Sequence, residues 1–269
     1  MFELWVRFFF QVSYQEKTIR SVVLKYIEEG YKKDILMLGS SVFFYYLDEA
    51  DDLYNLGVSG ANAYSGLKVL EKIKLRPEVM FVEMGLNTLR QMQGFHPGIK
   101  DILNNYEGVV LRRKISHLSR KENNLFLSLR TIVRNKTTNK QTYALEYMGD
   151  EWYQRALEMY ISRQEKRIEN GYYRDDEMAE LLQEKKALID EHIHAGVKVY
   201  LVRSPEAKAL YKVRQEEYEI EEAVFPKDQY AWIDLNLVMD DVVTTDGIHL
   251  CKNDSVKAIE QLRIKANLN

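Results

Sequence analysis

Short apolar runs alternate with helical patterns along this chain, and that alternation limits the possible folds more than any other feature. The runs have the length of β-strands, and we predict strands at Asp34–Leu38, Asp52–Leu56, Glu78–Met84, Val197–Val202 and Ala231–Leu235. Strands that alternate with helices are typical of a parallel sheet, because each crossover between parallel strands needs a helix. The sequence therefore predicts an α/β fold with a mainly parallel, five-stranded sheet.

The helical patterns between the strands supply the outer layers of such a fold. Between the second and third strands, "ANAYSGLKVLEKIKLR" places leucine and isoleucine at helical spacing, and Pro77 ends the pattern. After the fifth strand, "NDSVKAIEQLRIKA" predicts a closing helix with Asn253 or Asp254 as its N-cap. With helices on both faces, the expected architecture is a flavodoxin-like, three-layer α/β/α sandwich.

The middle of the chain, at about residues 95–195, differs from the rest because long charged helical segments replace the strand pattern. The segment "DEWYQRALEMYISRQEKRIENG" has Asp150 as a candidate N-cap, and "DDEMAELLQEKKALIDEHIHAG" ends at Gly196. A structureless loop of this length is uncommon inside a compact domain. We therefore predict a helical insertion or cap within an α/β domain of residues 33–269, preceded by an N-terminal helical segment at 1–32.

The N-terminal stretch "MFELWVRFFFQV" is apolar but short, and Glu3 and Arg7 interrupt it. It falls well below the roughly 20 residues that a membrane-spanning helix needs. It also lacks the basic start and the small-residue cleavage site of a signal peptide. Two interpretations stay open: an amphipathic helix packed on the domain, or the edge of a membrane-proximal segment that meets a partner there. The chain as given thus predicts no transmembrane span, in a protein that is cytoplasmic or associated with the cell envelope.

Composition excludes several classes of function. The formal net charge of −3 lacks the basic excess of proteins that bind nucleic acids. The single cysteine, Cys251, excludes an intramolecular disulfide and a zinc site built from cysteines. His192 and His194 have no acidic or histidine partner at ligand spacing, and their place at a predicted helix end suits the helix dipole. We expect no metal site, no cofactor and no nucleic-acid partner.

Four polar stretches follow predicted strands or precede the last helix, where open α/β sheets place their ligand sites. They are "LGSS", "NLGVSGAN", "EMGLNT" and "TTDGIHL". In the last of them, Asp246 and His249 stand three residues apart, so the carboxylate can orient the imidazole. An imidazole held in this way can accept the proton of a serine hydroxyl, which needs a base to become a nucleophile.

The same stretches also contain groups that could stabilise an oxyanion. A glycine lets its backbone N–H approach a substrate closely, and an asparagine amide supplies a second donor. Gly60 and Asn87 fit these two roles. Each stretch alone is also typical of an ordinary strand exit, turn or helix cap. Their combination in one order, at the strand ends of one sheet, favours acyl transfer.

Together the four stretches resemble the signature blocks of the SGNH (GDSL-like) hydrolase superfamily. "LGSS" is similar to the first block with Ser40 in place of the usual aspartate, which makes Ser41 the implied nucleophile. The glycine of the second block falls on Gly60, the asparagine of the third falls on Asn87, and "DGIHL" is similar to the fifth. The resemblance leaves the helical middle of the chain unexplained.

The resemblance implies a catalytic triad of Ser41, Asp246 and His249, with the N–H groups of Ser41 and Gly60 and the amide of Asn87 around the oxyanion. It implies a serine-dependent ester hydrolase that works through an acyl-enzyme, with an O-acylated carbohydrate as the expected substrate. The "GSS" block and "MFVEMG" are similar to a branch found beside bacterial polysaccharide O-acetylation machinery. An O-acetyltransferase with the same triad is therefore one alternative, and a non-catalytic binding protein on this fold is another.

Two further residues are candidates for substrate contact. Tyr45 follows the implied nucleophile and could line an acyl or sugar pocket, or pack in the core. Arg203 follows the fourth strand and could contact an anionic substrate or form a structural salt bridge. Glu83 ends the third strand, where burial is expected, and the sequence assigns it no role. A nucleotide-binding protein is disfavoured, because "GSSVFF" offers one glycine in place of a glycine-rich phosphate loop.

Overall fold

A computed structural model of the chain describes residue 26 and residues 33–46, 52–57, 61–86, 89, 149–239 and 241–268. Its centre is a sheet of five parallel strands in the order β2-β1-β3-β4-β5. The strands are β1 (Ile35–Gly39), β2 (Leu53–Gly57), β3 (Val79–Glu83), β4 (Lys198–Arg203) and β5 (Ala231–Asp234). All five predicted strands are present, each within one residue of its predicted ends, and the α/β fold is confirmed.

Helices connect the strands and cover both faces of the sheet. They are α1 (Ser41–Phe44), α2 (Ala63–Ile73), α3 (Asp150–Glu169), α4 (Asp176–His194), α5 (Lys208–Val213), α6 (Gln215–Val224) and α7 (Lys252–Lys265). A short 3-10 helix at Leu235–Leu237 follows β5. Strands that run in one direction with helices between them are the arrangement that the alternating sequence pattern predicts.

Side chains of each strand alternate between two cores, one on each face of the sheet. Leu36 and Leu38 of β1 point into the core that the sheet shares with α2 and α4. Ile35 and Met37 point into the opposite core, which the sheet shares with α7. Because both faces are covered, the strands are almost continuously apolar, and the structure has three layers.

Two helix starts differ from the prediction. Asp150 is the first residue of α3 rather than its N-cap, because the preceding glycine, with φ of 98°, occupies the cap position. The helix α7 begins two or three residues earlier than a cap at Asn253 or Asp254 would place it, with Cys251 in the cap position. The carboxylate of Asp254 instead accepts the N–H of Val243 at 2.8 Å, which ties the preceding loop to the helix.

The predicted insertion at about 95–195 is described from residue 149 onward. In this part, α4 packs against α2 and β4, so it is the crossover helix that leads into β4. α3 packs against α5, and its buried residues are Ala156 and Gln164. The predicted N-terminal segment 1–32 lies almost entirely outside the described residues and stays a prediction. None of the helices in the described ranges has both the length and the apolar character that crossing a membrane requires.

β2 holds α1 in place through the side chain of its middle residue, Asn55. Its amide nitrogen donates to the carbonyls of Phe43, at 2.6 Å, and of Tyr46, at 3.1 Å. Its amide oxygen accepts the N–H of Gly57 at 2.8 Å. Gly57 allows this close approach, since a Cβ there would lie 2.5 Å from the backbone nitrogen of Phe44. The short α1 is thus fixed by β2 as well as by β1.

Replacing Asn55 with alanine should lower the free energy of unfolding by about 1–3 kcal/mol, because the carbonyls of Phe43 and Tyr46 each lose a hydrogen bond in a partly buried place, although that of Phe43 keeps its bond from the N–H of Tyr46. Urea denaturation followed by circular dichroism measures the change. The matched control is Asn253→Ala at an exposed position of α7, which should stay within about 0.5 kcal/mol of the parent chain. Equal stabilities of the two variants would contradict the role given to Asn55.

Candidate active site

The two serines that follow β1 face different surroundings. Ser40 is 3% exposed, and its hydroxyl accepts the N–H of Val42 at 3.2 Å, so it caps α1. Ser41 is the first residue of α1 and is partly exposed. As the first residue of a helix, Ser41 has no acceptor for its N–H within α1. The turn after β1 therefore buries one hydroxyl and presents the other.

Three predicted site residues from distant parts of the chain meet at this turn. Ser41 Oγ lies 2.9 Å from His249 Nε2, and His249 Nδ1 lies 2.6 Å from Asp246 Oδ2. Both distances are within the range of hydrogen bonds. Such a chain of contacts lets an imidazole take the proton of the serine while the carboxylate orients the ring. The structure thus brings together the three residues that the sequence marks as a triad.

The carboxylate of Asp246 is held by four donors. One oxygen accepts the N–H groups of Ile248, at 3.1 Å, and His249, at 2.9 Å. The other accepts the His249 ring nitrogen and, at 3.4 Å, the hydroxyl of Tyr160. Burial alone would raise the pKa of Asp246, but the bonds from His249 and the backbone hold it below its usual value. Asp246 therefore stays ionised, as a partner for an imidazolium must.

The turn that carries His249 is closed by its own backbone. The N–H of Thr245 donates to the carbonyl of His249 at 2.8 Å, and Thr244 and Leu250 form an antiparallel bridge. Gly247, with φ of 102°, occupies the left-handed region that favours glycine. Its N–H donates to the hydroxyl of Thr244 at 3.1 Å. The imidazole is thus mounted on a tight, hydrogen-bonded turn.

Glu83, to which the sequence assigned no role, holds the turn after β1. Its carboxylate, buried at the end of β3, accepts the N–H of Ser40 at 2.5 Å and the hydroxyl of Ser40 at 2.8 Å. Burial raises the pKa of Glu83, although the bonds from Ser40 oppose that rise. Gly39 leaves room for this contact, because a Cβ there would collide with the Glu83 carboxylate and lie 2.7 Å from Phe43 Cβ. A carboxylate from β3 therefore steadies the turn.

A cavity of about 330 Å³ opens beside Ser41 and His249. Its walls come from the end of β3, from the loop that follows β4 and from one face of α3. The lining residues on α3 are Tyr160, Arg163, Gln164 and Arg167. Their spacing places all four on one side of the helix. The triad therefore lies at the edge of a space large enough for a small ligand.

The sequence predicted α3 as part of a helical insertion, with no contact to the site. Tyr160 reaches Asp246, and burial followed by the charge of Asp246 raises the pKa of Tyr160 to about 12, so its phenol stays protonated. Gln164 is 2% exposed and donates to Glu217 at 3.3 Å. A buried glutamine on a largely exposed helix is a signal of such a contact, but the sequence alone does not show which residues of the helix are buried.

The two predicted substrate contacts lie in different places. Tyr45 packs edge-on against the His249 ring, with ring centres 5.4 Å apart and an interplanar angle of 86°. Arg203 also lines the cavity but is 3% exposed, and it forms an ion pair with Glu222 at 2.6 Å. Its guanidinium lies over the ring of Trp232 at 4.5 Å. The salt bridge that the sequence offered as an alternative for Arg203 is present, and substrate contact by either residue stays a prediction.

The predicted oxyanion donors on the second and third stretches, Gly60 and Asn87, lie outside the described residues. Before the gaps, the second stretch is described as far as Gly57, the last residue of β2, and the third as far as Leu86, just after β3, and these two strands flank β1. Both stretches therefore leave the sheet at the same edge as Ser41. The oxyanion roles of Gly60 and Asn87 stay predictions.

Metal binding has no support in the described ranges, where no group of histidine, cysteine, aspartate or glutamate is arranged to hold an ion. His192 is buried in α4, and burial lowers its pKa. The Nδ1 atom of His194 lies 2.7 Å from the carbonyl oxygen of Asp190, one turn earlier. The surroundings of both histidines are thus explained by their positions in α4.

No protein-family model matches the chain, and no curated protein matches it in sequence. Among solved structures, the chain is similar to Est24, a carbohydrate acetylesterase from Sinorhizobium meliloti, with 11% sequence identity and a TM-score of 0.35. The match covers 88% of this chain and 100% of the Est24 chain. A likeness this distant shows no activity for this chain.

The bonds between Ser40 and Glu83 should appear as a coupling in a double-mutant cycle. Ser40→Ala and Glu83→Ala should each lower the free energy of unfolding. The double variant should lose less than their sum, by about 0.5 kcal/mol or more, because both changes remove the same bonds. Urea denaturation measures all four chains, with Glu78→Ala, an exposed position just before β3, as the control that should not couple to Ser40→Ala. Losses that add within about 0.3 kcal/mol would refute the contact.

Proposed function

We propose that this protein is a serine-dependent ester hydrolase of the SGNH type that acts through an acyl-enzyme. The observation that carries the proposal is the relay in which Ser41 Oγ lies 2.9 Å from His249 Nε2, and His249 Nδ1 lies 2.6 Å from Asp246 Oδ2. The relay ends on a carboxylate with a lowered pKa, which suits it to stabilise an imidazolium. It also stands beside a cavity that could admit the ester.

In the first step, Ser41 Oγ attacks the carbonyl carbon of the ester and its proton passes to His249 Nε2. Asp246 stays ionised and stabilises the positive charge on the ring. The carbonyl oxygen becomes an oxyanion that needs donors already in place. The N–H of Ser41 is one such donor, and the resemblance to SGNH hydrolases adds the N–H of Gly60 and the amide of Asn87.

In the second step, His249 gives its proton to the leaving alcohol oxygen, the C–O bond breaks, and the acyl group remains on Ser41. Water then attacks the acyl carbon while His249 takes its proton. The second tetrahedral intermediate collapses as the bond between the acyl carbon and Ser41 Oγ breaks, His249 returns its proton to Oγ, and the acid leaves. An acceptor hydroxyl in place of water would turn the same sequence of steps into acyl transfer.

For the substrate we propose an O-acylated carbohydrate, the class that the resemblance of the four sequence stretches suggests. The cavity, of about 330 Å³, is at the small end of ligand sites, which suits a short acyl group with about one sugar ring. The hydroxyls of Tyr160 and Ser204 belong to lining residues, and hydroxyls can both donate to and accept from those of a sugar.

Replacing Ser41 with alanine should lower kcat for 4-nitrophenyl acetate by about a thousandfold or more, because the acyl-enzyme can no longer form. Steady-state kinetics measure the loss, and labelling with a fluorophosphonate followed by peptide mass spectrometry should place the modification on Ser41 in the parent chain. Ser162→Ala, at an exposed position of α3, is the control and should keep full activity. Unchanged turnover in Ser41→Ala would leave a non-catalytic binding protein as the better proposal.

Replacing Asp246 with asparagine should lower kcat by about a thousandfold to ten-thousandfold, because an amide can bond to the other tautomer of His249 and cannot stabilise the imidazolium. The KM for the same ester should change little, since Asp246 holds the ring rather than the substrate. Asp228→Asn, at an exposed position, is the matched control. A kcat of Asp246→Asn within about tenfold of the parent value would be evidence against the relay.

A further inference from the structure

One face of α3 forms a wall of the cavity, and this face is anchored at two places. Tyr160 bonds to Asp246, and Leu157 approaches the turn at Gly247, where an added Cβ would meet its Cδ1 atom at 3.0 Å. One turn further, Gln164 is buried and accepts the hydroxyl of Tyr173 at 2.8 Å. Arg163, between these anchors, and Arg167, just beyond them, are therefore held at the wall of the cavity that Ser41 also lines.

Two of the four arginines that line the cavity form ion pairs with carboxylates of the protein. Arg214 pairs with Glu206 at 2.5 Å and with Glu217 at 2.8 Å. Arg203 pairs with Glu222 at 2.6 Å. These guanidinium groups belong to the internal support of the cavity, because their charges are already matched by the protein.

The other two arginines, Arg163 and Arg167, lie on the cavity face of α3. Arg163 is exposed, and no carboxylate in the described part of the chain forms an ion pair with it. Arg167 is partly buried, with its guanidinium over the ring of Tyr172 at 5.4 Å, which orients the group. An anion that enters the cavity would meet the guanidinium of Arg163 at its wall.

We propose that Arg163 forms a subsite for an anionic group on the ester substrate, next to the acyl-transfer site. This inference rests on the proposed function. A guanidinium presents paired N–H donors that match the oxygens of a carboxylate or a phosphate. The substrate class is therefore an ester whose alcohol part carries such a group, for example an acylated acidic sugar or an acylated sugar phosphate. The triad then cleaves the ester while α3 holds the anion.

The test compares two acetate esters that differ in charge: 4-acetoxybenzoate, which is anionic, and 4-acetoxybenzamide, which is neutral and of similar shape. Arg163→Gln should lower the ratio of their kcat/KM values, anionic over neutral, by about tenfold, the lower end for a hydrogen bond to a charged group. Arg163→Glu should lower the ratio further, because it places a like charge beside the substrate. Arg155→Gln, on an exposed part of the same helix where Arg155 pairs with Glu151, should leave the ratio unchanged.

A ratio that does not move in Arg163→Gln and Arg163→Glu, while hydrolysis of both esters still requires Ser41, would overturn the subsite and leave the proposed function intact. Hydrolysis that persists in Ser41→Ala would instead overturn the proposed function. The subsite is then decided without turnover, by calorimetric titration of 4-hydroxybenzoate into Ser41→Ala and into Ser41→Ala/Arg163→Gln. Weaker binding in the second chain supports the subsite, and equal binding refutes it.

The kind of anion is read from inhibition of 4-nitrophenyl acetate hydrolysis by benzoate and by phenyl phosphate. The stronger inhibitor identifies the anion that the subsite prefers. This conclusion requires that the same compound inhibits Arg163→Gln about tenfold more weakly than the parent chain. Inhibition by both compounds that is equal in Arg163→Gln and in the parent chain would count against the subsite.

Discussion

The two hydrogen bonds from Ser40 to Glu83 are the constraint on which the site depends. β1 and β3 are neighbours in the sheet, and the pairing of Leu38 with Val82 brings the next residues of both strands, including Glu83, beside the turn that follows β1. The bonds fix this turn, so that the following side chain, that of Ser41, leaves the sheet toward the cavity. Two serines follow the strand because they serve different purposes. The first holds the turn, and the second meets the imidazole.

A buried carboxylate at this place requires polar support from the rest of the fold. The backbone carbonyl of Glu83 accepts a bond from Lys185 of α4 at 3.1 Å, and burial lowers the pKa of this lysine. Burial and the nearby charge of Glu217 raise the pKa of Glu221 to about 7. Removing one member of such a network would leave a charge buried without its partner, which is strongly destabilising. The Lys185 bond thus ties α4 to the end of β3, and α6 is tied to the residues just after β3 by Glu217, which accepts the N–H of Leu86 at 2.6 Å.

The parts of the fold and of the site that the sequence could predict are mainly those that depend on residues close together in the chain. The strands were predictable because a buried parallel strand is a continuous apolar run, and the contact of Asp246 with His249 was predictable because the two are three residues apart. The contact of Ser41 with His249 joins residues 208 positions apart, and it was expected from the order of the four stretches and their family resemblance. The contacts of Glu83 and Tyr160 have no such local signature, since each depends on which elements pack together in the folded chain.

α3 combines two requirements of the site on one helix. Its Tyr160 reaches Asp246 at 3.4 Å, and Arg163 lies one turn further along the same face. The helix is itself fixed by Gln164, whose amide donates to Glu217 of the buried network at 3.3 Å. An anion bound to Arg163 would therefore contact the same helix whose Tyr160 bonds to Asp246. Binding of a charged substrate and alignment of Asp246, the proposed partner of His249, would then depend on the same helix, so a displacement of α3 should weaken both.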